Sequence, residues 1–220
     1  MRSVRIWFNK LDTAKYISHL DITRCMTRAF RRTDIPLWYT EGFNPHPHLV
    51  FGLSLPLGVE ALREPLDIRL NDDEYPIERV LQQLNEVMVP GMTFIDIKEP
   101  VYKPTEIFKG EYSVFIPCEG DAEELCNKIA DTVKNKTITF EKKTKKKEIK
   151  TVNVSEHITD FNYDFSASGV KLHFKLPAGN DLTINPVSFM NALLDMIGES
   201  QRLHRITRHR LLMKDGTEFR

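Results

Sequence analysis

The spacing of apolar positions changes along the chain, and each change marks an element. Val4 to Asn9 (VRIWFN) is a run of β-branched and aromatic residues, the make-up of a short strand. From His19 the spacing lengthens. At about 100° per residue, Ile22, Cys25, Met26, Ala29 and Phe30 share one side of a helix. Ser18 stands before it as an N-cap, with Asp21 three residues on. This helix runs to about Arg32 and stops ahead of Ile35-Pro36. Leu37 to Thr40, His48 to Leu55 and Leu62 to Leu70 return to strand periodicity, punctuated by Gly42, Pro56 and Gly58. Tyr75-Pro76 opens a second helix over Ile77 to Val87, with Ile77, Val80, Leu81 and Leu84 on one face. Pro90-Gly91 closes it before a strand-like stretch, Met92 to Tyr102.

After a short linker at Lys103-Pro104-Thr105 a similar order begins again. It predicts a strand over Tyr112 to Pro117, a helix over Asp121 to Lys134 and a strand over Thr137 to Lys142. A strand from Glu148, a hairpin turning at Ser168-Gly169, a helix over Pro186 to Ile197 and a strand near Leu203 to Met213 follow. The expectation is an α+β protein of two tandem ferredoxin-like (split β-α-β) domains, residues 1–103 and 106–220. Each would carry an antiparallel sheet with a helix pair on one face.

Composition narrows the function classes. Lys+Arg and Asp+Glu are both 31 in 220 residues, so any attraction to nucleic acid must come from local patches. The first ten residues lack the apolar run of a signal peptide, and no stretch of about 18 apolar residues reads as a membrane span. Cys25, Cys118 and Cys126 have no paired spacing and no C-x-x-C. They read as reduced thiols of a cytoplasmic protein, unable to hold an iron–sulfur centre.

Charge then singles out the first helix. Arg24, Arg28, Arg31 and Arg32 lie opposite its apolar side within an arc of about 100°, with Asp21 as the sole acid in the stripe. An ordinary solvated face mixes signs; this one keeps positive charge for phosphates or an acidic partner. Downstream, Gly42-Phe43-Asn44-Pro45-His46-Pro47-His48 is stiffened by alternating prolines and carries Phe43, Asn44, His46 and His48. Such a loop suits gripping a base or a peptide. A metal set built from His46, His48, His19 and Asp21 is not expected, because His19 and Asp21 project about 160° apart on the helix. Glu141 to Lys150 holds six lysines, Lys143, Lys145, Lys146 and Lys147 among them, against two glutamates. It reads either as a solubilising turn or as a clamp on a phosphate backbone. Arg205, Arg208 and Arg210 add a basic last strand, a pattern also found on edge strands that resist aggregation.

Tyr-Ile-Ser-His-Leu-Asp (16–21), Arg-Ala-Phe-Arg-Arg (28–32), Gly-Phe-Asn-Pro-His-Pro (42–47) and Leu-Pro-Leu-Gly (55–58) together resemble the radical-SAM-linked protein family. Members of that bacterial family have no assigned function and occur beside or fused to a radical-SAM protein. The resemblance implies a radical-SAM partner and brings Tyr16, His19 and Asp21 into the candidate set; it supplies no catalytic residue and no cofactor. A tandem ferredoxin-like build is also similar, at fold level only, to CRISPR repeat-processing endoribonucleases.

The expectation is therefore a non-catalytic accessory protein that binds RNA, or presents an RNA-linked substrate, for a separate radical-SAM enzyme. Two rivals stand beside it. One is a metal-independent endoribonuclease using His46 or His48 as general acid or base. The other is a protein-only docking subunit whose arginine stripe meets acidic helices of the partner.

Overall fold

The computed structural model describes residues 1–143, 149–179 and 181–220. In the first half, β1 (Arg2–Lys10), α1 (His19–Phe30), β2 (Leu49–Phe51), β3 (Val59–Leu70), α2 (Ile77–Val87) and β4 (Met92–Lys98) follow in order. The second half holds β5 (Lys109–Pro117), α3 (Ala122–Asn135), the hairpin strands β6 (Thr139–Lys143) and β7 (Ile149–Asn153), β8 (Thr159–Ser166), β9 (Gly169–Pro177), α4 (Pro186–Met196) and β10 (Arg205–Leu212). It is a mixed α+β fold with a mainly antiparallel sheet.

Local chemistry accounts for the helices. Ser18 is extended, and its Oγ accepts from the Asp21 N–H at 3.2 Å while donating to Asp21 Oδ2 at 2.7 Å. α1 buries Ile22, Met26, Ala29 and Phe30, the side its periodicity predicts. α2 has the predicted limits, Ile77–Val87. α4 begins with Pro186 at its first position, and Asn185 Oδ1 caps the Val187 N–H at 2.9 Å.

The sheet differs from the expectation of two separate ones. Its order is β4-β1-β3-β10-β5-β9-β8, with β2 beside β3, so both halves share one eight-stranded sheet. β2 is only three residues long and covers β3 at Leu66–Ile68. The start of β3 is left free, and β10 takes it in parallel register: Ile206 opposite Val59, Thr207 opposite Glu60, Arg208 opposite Ala61. β10 is thus an interior strand rather than an aggregation-resistant edge, and one of its arginines is turned inward. Leu37–Thr40 is a second departure. It makes only isolated bridges, Leu37 to Leu70 and Tyr39 to Pro47, because it is one arm of an excursion closed by His48 N–H donating to Trp38 O at 3.1 Å.

The four helices of the described residues lie on one side of the sheet. Val4, Ile6, Phe8, Leu66, Ile68 and Leu70 meet α1 and α2 there; Val114, Ile116, Val170, Leu172 and Phe174 meet α3 and α4. Strand alternation sends Arg5, Trp7, Asp67 and Arg69 to the other side. Between the two cores sits a buried polar seam. Arg208 Nε donates to Glu64 Oε1 at 2.8 Å, and its Nη2 donates to Glu64 Oε2. The Tyr112 hydroxyl lies beside the same guanidinium. Gly110 makes room for that ring: a Cβ there would lie 2.6 Å from the Tyr112 hydroxyl. Lys10 is fully buried nearby and donates to Lys15 O at 3.1 Å and Ile17 O at 2.8 Å. Burial lowers its pKa from 10.5 to about 8, with Glu64 pulling upward and Arg208 downward.

Candidate nucleic-acid interface

α1 ends at Phe30, short of the expected Arg32, so Arg24 and Arg28 lie on the helix, Arg31 is its C-cap and Arg32 follows in a turn. Arg24, Arg28, Arg31 and Arg32 are all exposed. Arg24 meets Asp21 at 3.2 Å. The Ser18 hydroxyl, and then Arg24, hold the Asp21 carboxyl below its ordinary range. Arg28, Arg31 and Arg32 have no carboxylate partner among the described residues. By contrast Arg2, Arg5, Arg63, Arg202, Arg205, Arg208 and Arg210 each meet a carboxylate. A helix C-terminus attracts cations, which accounts for basic residues near Phe30. It does not account for the missing counter-charges, and three guanidinium groups without carboxylate partners at the end of one helix favour a phosphate ligand.

The Gly42–His48 loop folds back on Leu37–Thr40, with Thr40 N–H donating to His46 O at 2.9 Å. Gly42 turns the chain at φ 124, and Phe43 is fully exposed at the tip. His46 is engaged by its own loop, with Nδ1 at 3.0 Å from Thr40 Oγ1 and 3.2 Å from Asn44 O. Asn44 is exposed beside Phe43. His48 instead lies edge-on to Trp38, ring centroids 5.6 Å apart, and Arg69 stands 5.6 Å from the same indole. Burial, and then Arg69, lower the His48 pKa. Arg69 sits between the core residues Ile68 and Leu70 on β3 and so points to the helix-free side. The stripe and His48 therefore occupy opposite faces.

The remaining candidates are spread along the first half. His19 packs edge-on to Phe51 at 5.0 Å. Tyr16 is 67% exposed, with Lys15 Nζ 5.5 Å from its ring centroid. His19, His46 and His48 thus have separate partners and do not converge. Lys143 closes β6 opposite Ile149, on a hairpin whose Phe140 and Val152 pack on the second core, away from α1. Lys145, Lys146 and Lys147 lie outside the described residues. A cleft of about 970 Å³ in the second half, lined by Tyr102, Phe108, Lys109 and His157, takes in none of these residues. Cys25, Cys118 and Cys126 are free thiols, and burial raises all three above their ordinary range, which withholds the reactive thiolate.

Sequence reasoning missed Trp38 and Arg69, which share no motif and meet only because the excursion folds back on β3. It also missed the Ser113, His173 and His209 row, whose members lie on three strands. Alternation placed each on an outward face, and that was the one available signal.

Four helices against one face of a mainly antiparallel sheet define the class: an α+β protein with a local cluster of exposed arginines. The chain belongs to the family described as "Uncharacterized protein conserved in bacteria (DUF2344)", whose model matches residues 3–186. No curated protein matches it. Among solved structures it is similar to a chain of the crystal structure of a Cbf5-Nop10-Gar1 complex, at 12% identity and a TM-score of 0.49. The match covers 94% of this chain and 48% of that one, so the protein spans about half the length of its solved neighbour. At that score the likeness carries no argument.

Proposed function

We propose that the protein is an RNA-binding accessory protein that holds RNA, or an RNA-linked substrate, for a separate radical-SAM enzyme. One observation carries the RNA reading: Arg28 on α1, and Arg31 and Arg32 just past its end, are exposed with no carboxylate partner among the described residues, while most arginines elsewhere meet carboxylates. Guanidinium forks match phosphate oxygens, and Phe43 at a stiff loop tip offers a stacking surface for an unpaired base. The radical-SAM partnership rests on the sequence resemblance. The fold reading is of two tandem ferredoxin-like units, 1–103 and 106–220. The strand orders β4-β1-β3-β2 and β10-β5-β9-β8, each in the same relative sequence, support it.

A protein-only docking role has one observation in its favour. Tyr16, Leu20 and Leu57 are exposed apolar side chains near the start of α1. Purification without nuclease separates the two readings. An RNA carrier co-purifies with nucleic acid, seen as excess absorbance near 260 nm, and an Arg28→Glu/Arg31→Glu variant loses it. A nuclease-insensitive complex with the radical-SAM protein, lost in the same variant, marks a docking subunit instead.

A further inference from the structure

The helix-free face of the second half carries a row of chemistry that the arginine stripe does not use. Three neighbouring strands build it. Ser113 on β5 stands opposite His173 on β9 and opposite Thr207 on β10. The register of β10 on β5 then slips between Arg208 and Arg210, and the extra residue is His209. The bulge lets Arg208 stay in the buried seam while His209 reaches back over Ser113, its Nε2 at 2.7 Å from Ser113 Oγ. The His173 and His209 rings lie with centroids 6.2 Å apart. Among the described residues no helix covers this side; Ser113, His173 and His209 are half-buried and Lys171 is exposed.

We propose that His173 and His209 form a general acid–base pair that cleaves single-stranded RNA by attack of the ribose 2′-hydroxyl on the adjacent phosphodiester. The 2′-oxygen bonds to phosphorus and the bond from phosphorus to the 5′-oxygen breaks. His209 Nδ1 takes the 2′-hydroxyl proton, and protonated His173 gives one to the departing 5′-oxygen. The products are a 2′,3′-cyclic phosphate and a 5′-hydroxyl end, with no oxidant, reductant or water consumed. Ser113 is a positioning residue: its Oγ, 2.7 Å from Nε2, holds the imidazole in place, and in the tautomer whose Nε2–H donates to that oxygen the Nδ1 lone pair is free, with no hydrogen bond to Nδ1 among the described residues.

The surroundings fit this chemistry better than acyl transfer. Ser113 lies mid-strand on β5, paired on both sides by β9 and β10, so its backbone N–H is committed to the sheet and offers no oxyanion hole. Cations and carboxylates both border the row, and Lys171 is the cation there with no salt bridge among the described residues. Lys171 is exposed opposite Asp164, Lys175 pairs with Asp160 at 2.6 Å, and Arg210 pairs with Glu111 at 2.8 Å. Phe115, with the Arg205 guanidinium 5.9 Å from its ring centroid, gives a stacking platform beside the histidines. Burial lowers the His209 pKa; Glu111 opposes this, while His173, Arg210 and Lys171 add to it. That direction suits His209 as the base, and the His173 ring, 6.2 Å away, stands across the row as the acid.

This inference goes beyond the accessory role and does not depend on the stripe, which lies on the other side of the sheet. The test incubates the full chain with a labelled, randomised 20-nucleotide single-stranded RNA in EDTA and measures filter binding in the same samples. Cleavage to ends carrying 2′,3′-cyclic phosphate, identified by mass spectrometry, is expected, with the all-2′-deoxy oligonucleotide left intact. His173→Asn and His209→Asn should each slow cleavage at least about 100-fold while circular dichroism stays unchanged. Ser113→Ala should move the acidic limb of the pH–rate profile, an effect a structural role alone would not produce. Arg28→Glu/Arg31→Glu should weaken filter binding of the same RNA, a readout that tests the stripe separately from the histidines. Failure of the folded wild-type chain to cleave, or cleavage that survives both histidine substitutions, overturns the proposal. Retained RNA binding without cleavage removes this inference and leaves the stripe reading standing.

Discussion

Replacing Arg208 by Met tests the seam that joins the two cores. The side chains of Arg208 and Glu64 are 1% and 4% exposed, and the guanidinium engages both carboxylate oxygens. Without it, the Glu64 carboxylate stays buried with Lys10 as a neighbouring cation, and Lys10 already donates to two carbonyls. Breaking one partner of a buried pair costs about 3–5 kcal/mol. For a chain of 220 residues, about 2–4 °C is lost per kcal/mol, so the melting temperature should fall by about 6–20 °C. Urea unfolding at pH 7, followed by circular dichroism, reads the free energy directly. Arg208→Met/Glu64→Leu should recover most of the loss, because apolar replacement of a whole buried pair is close to neutral. A single variant within about 1 kcal/mol of wild type would refute the reasoning, since a desolvated, unpaired carboxylate cannot be that cheap.

Two further outcomes follow from named groups. Lys10 titrates near pH 8 in the fold and near 10.5 when unfolded, so the folded state holds fewer protons between those values. Its contribution to stability therefore rises with pH across that window, and Lys10→Met should flatten the rise measured by urea unfolding from pH 7.5 to 10.5. Phe43→Ala should weaken RNA binding in fluorescence anisotropy with little change in salt dependence, because stacking releases few ions.

Local signals made the elements of the first half legible. The cap at Ser18, the stop before Pro36 and the 3.6-residue spacing give α1 and its buried side; Pro76 and Pro90 bracket α2. Long-range pairing was not legible. Nothing near Val59 or Ile206 announces their parallel contact, which arises because β2 is too short to cover β3. Arg205, Arg208 and Arg210 look alike in sequence, yet Arg208 is turned to Glu64 while Arg210 stays at the surface with Glu111. The bulge that separates them has no composition of its own. Of the candidate site, the exposed arginine face was readable from helical period, whereas its separation from His48 depends on which side of β3 the excursion folds against.

The salt dependence of RNA binding tests the central claim most directly. Anisotropy titrations of a single-stranded RNA, repeated across a range of salt concentrations, give the slope of log K against log salt for the wild type and for Arg28→Glu/Arg31→Glu. Each phosphate neutralised contributes about −0.7 to that slope for a single strand, so the variant should bind more weakly with a slope flatter by roughly one to two units. Both side chains are exposed, and surface changes usually cost under about 0.5 kcal/mol, so the fold should persist. An unchanged affinity and slope in the folded variant would contradict the account and reduce the stripe to a solvated face.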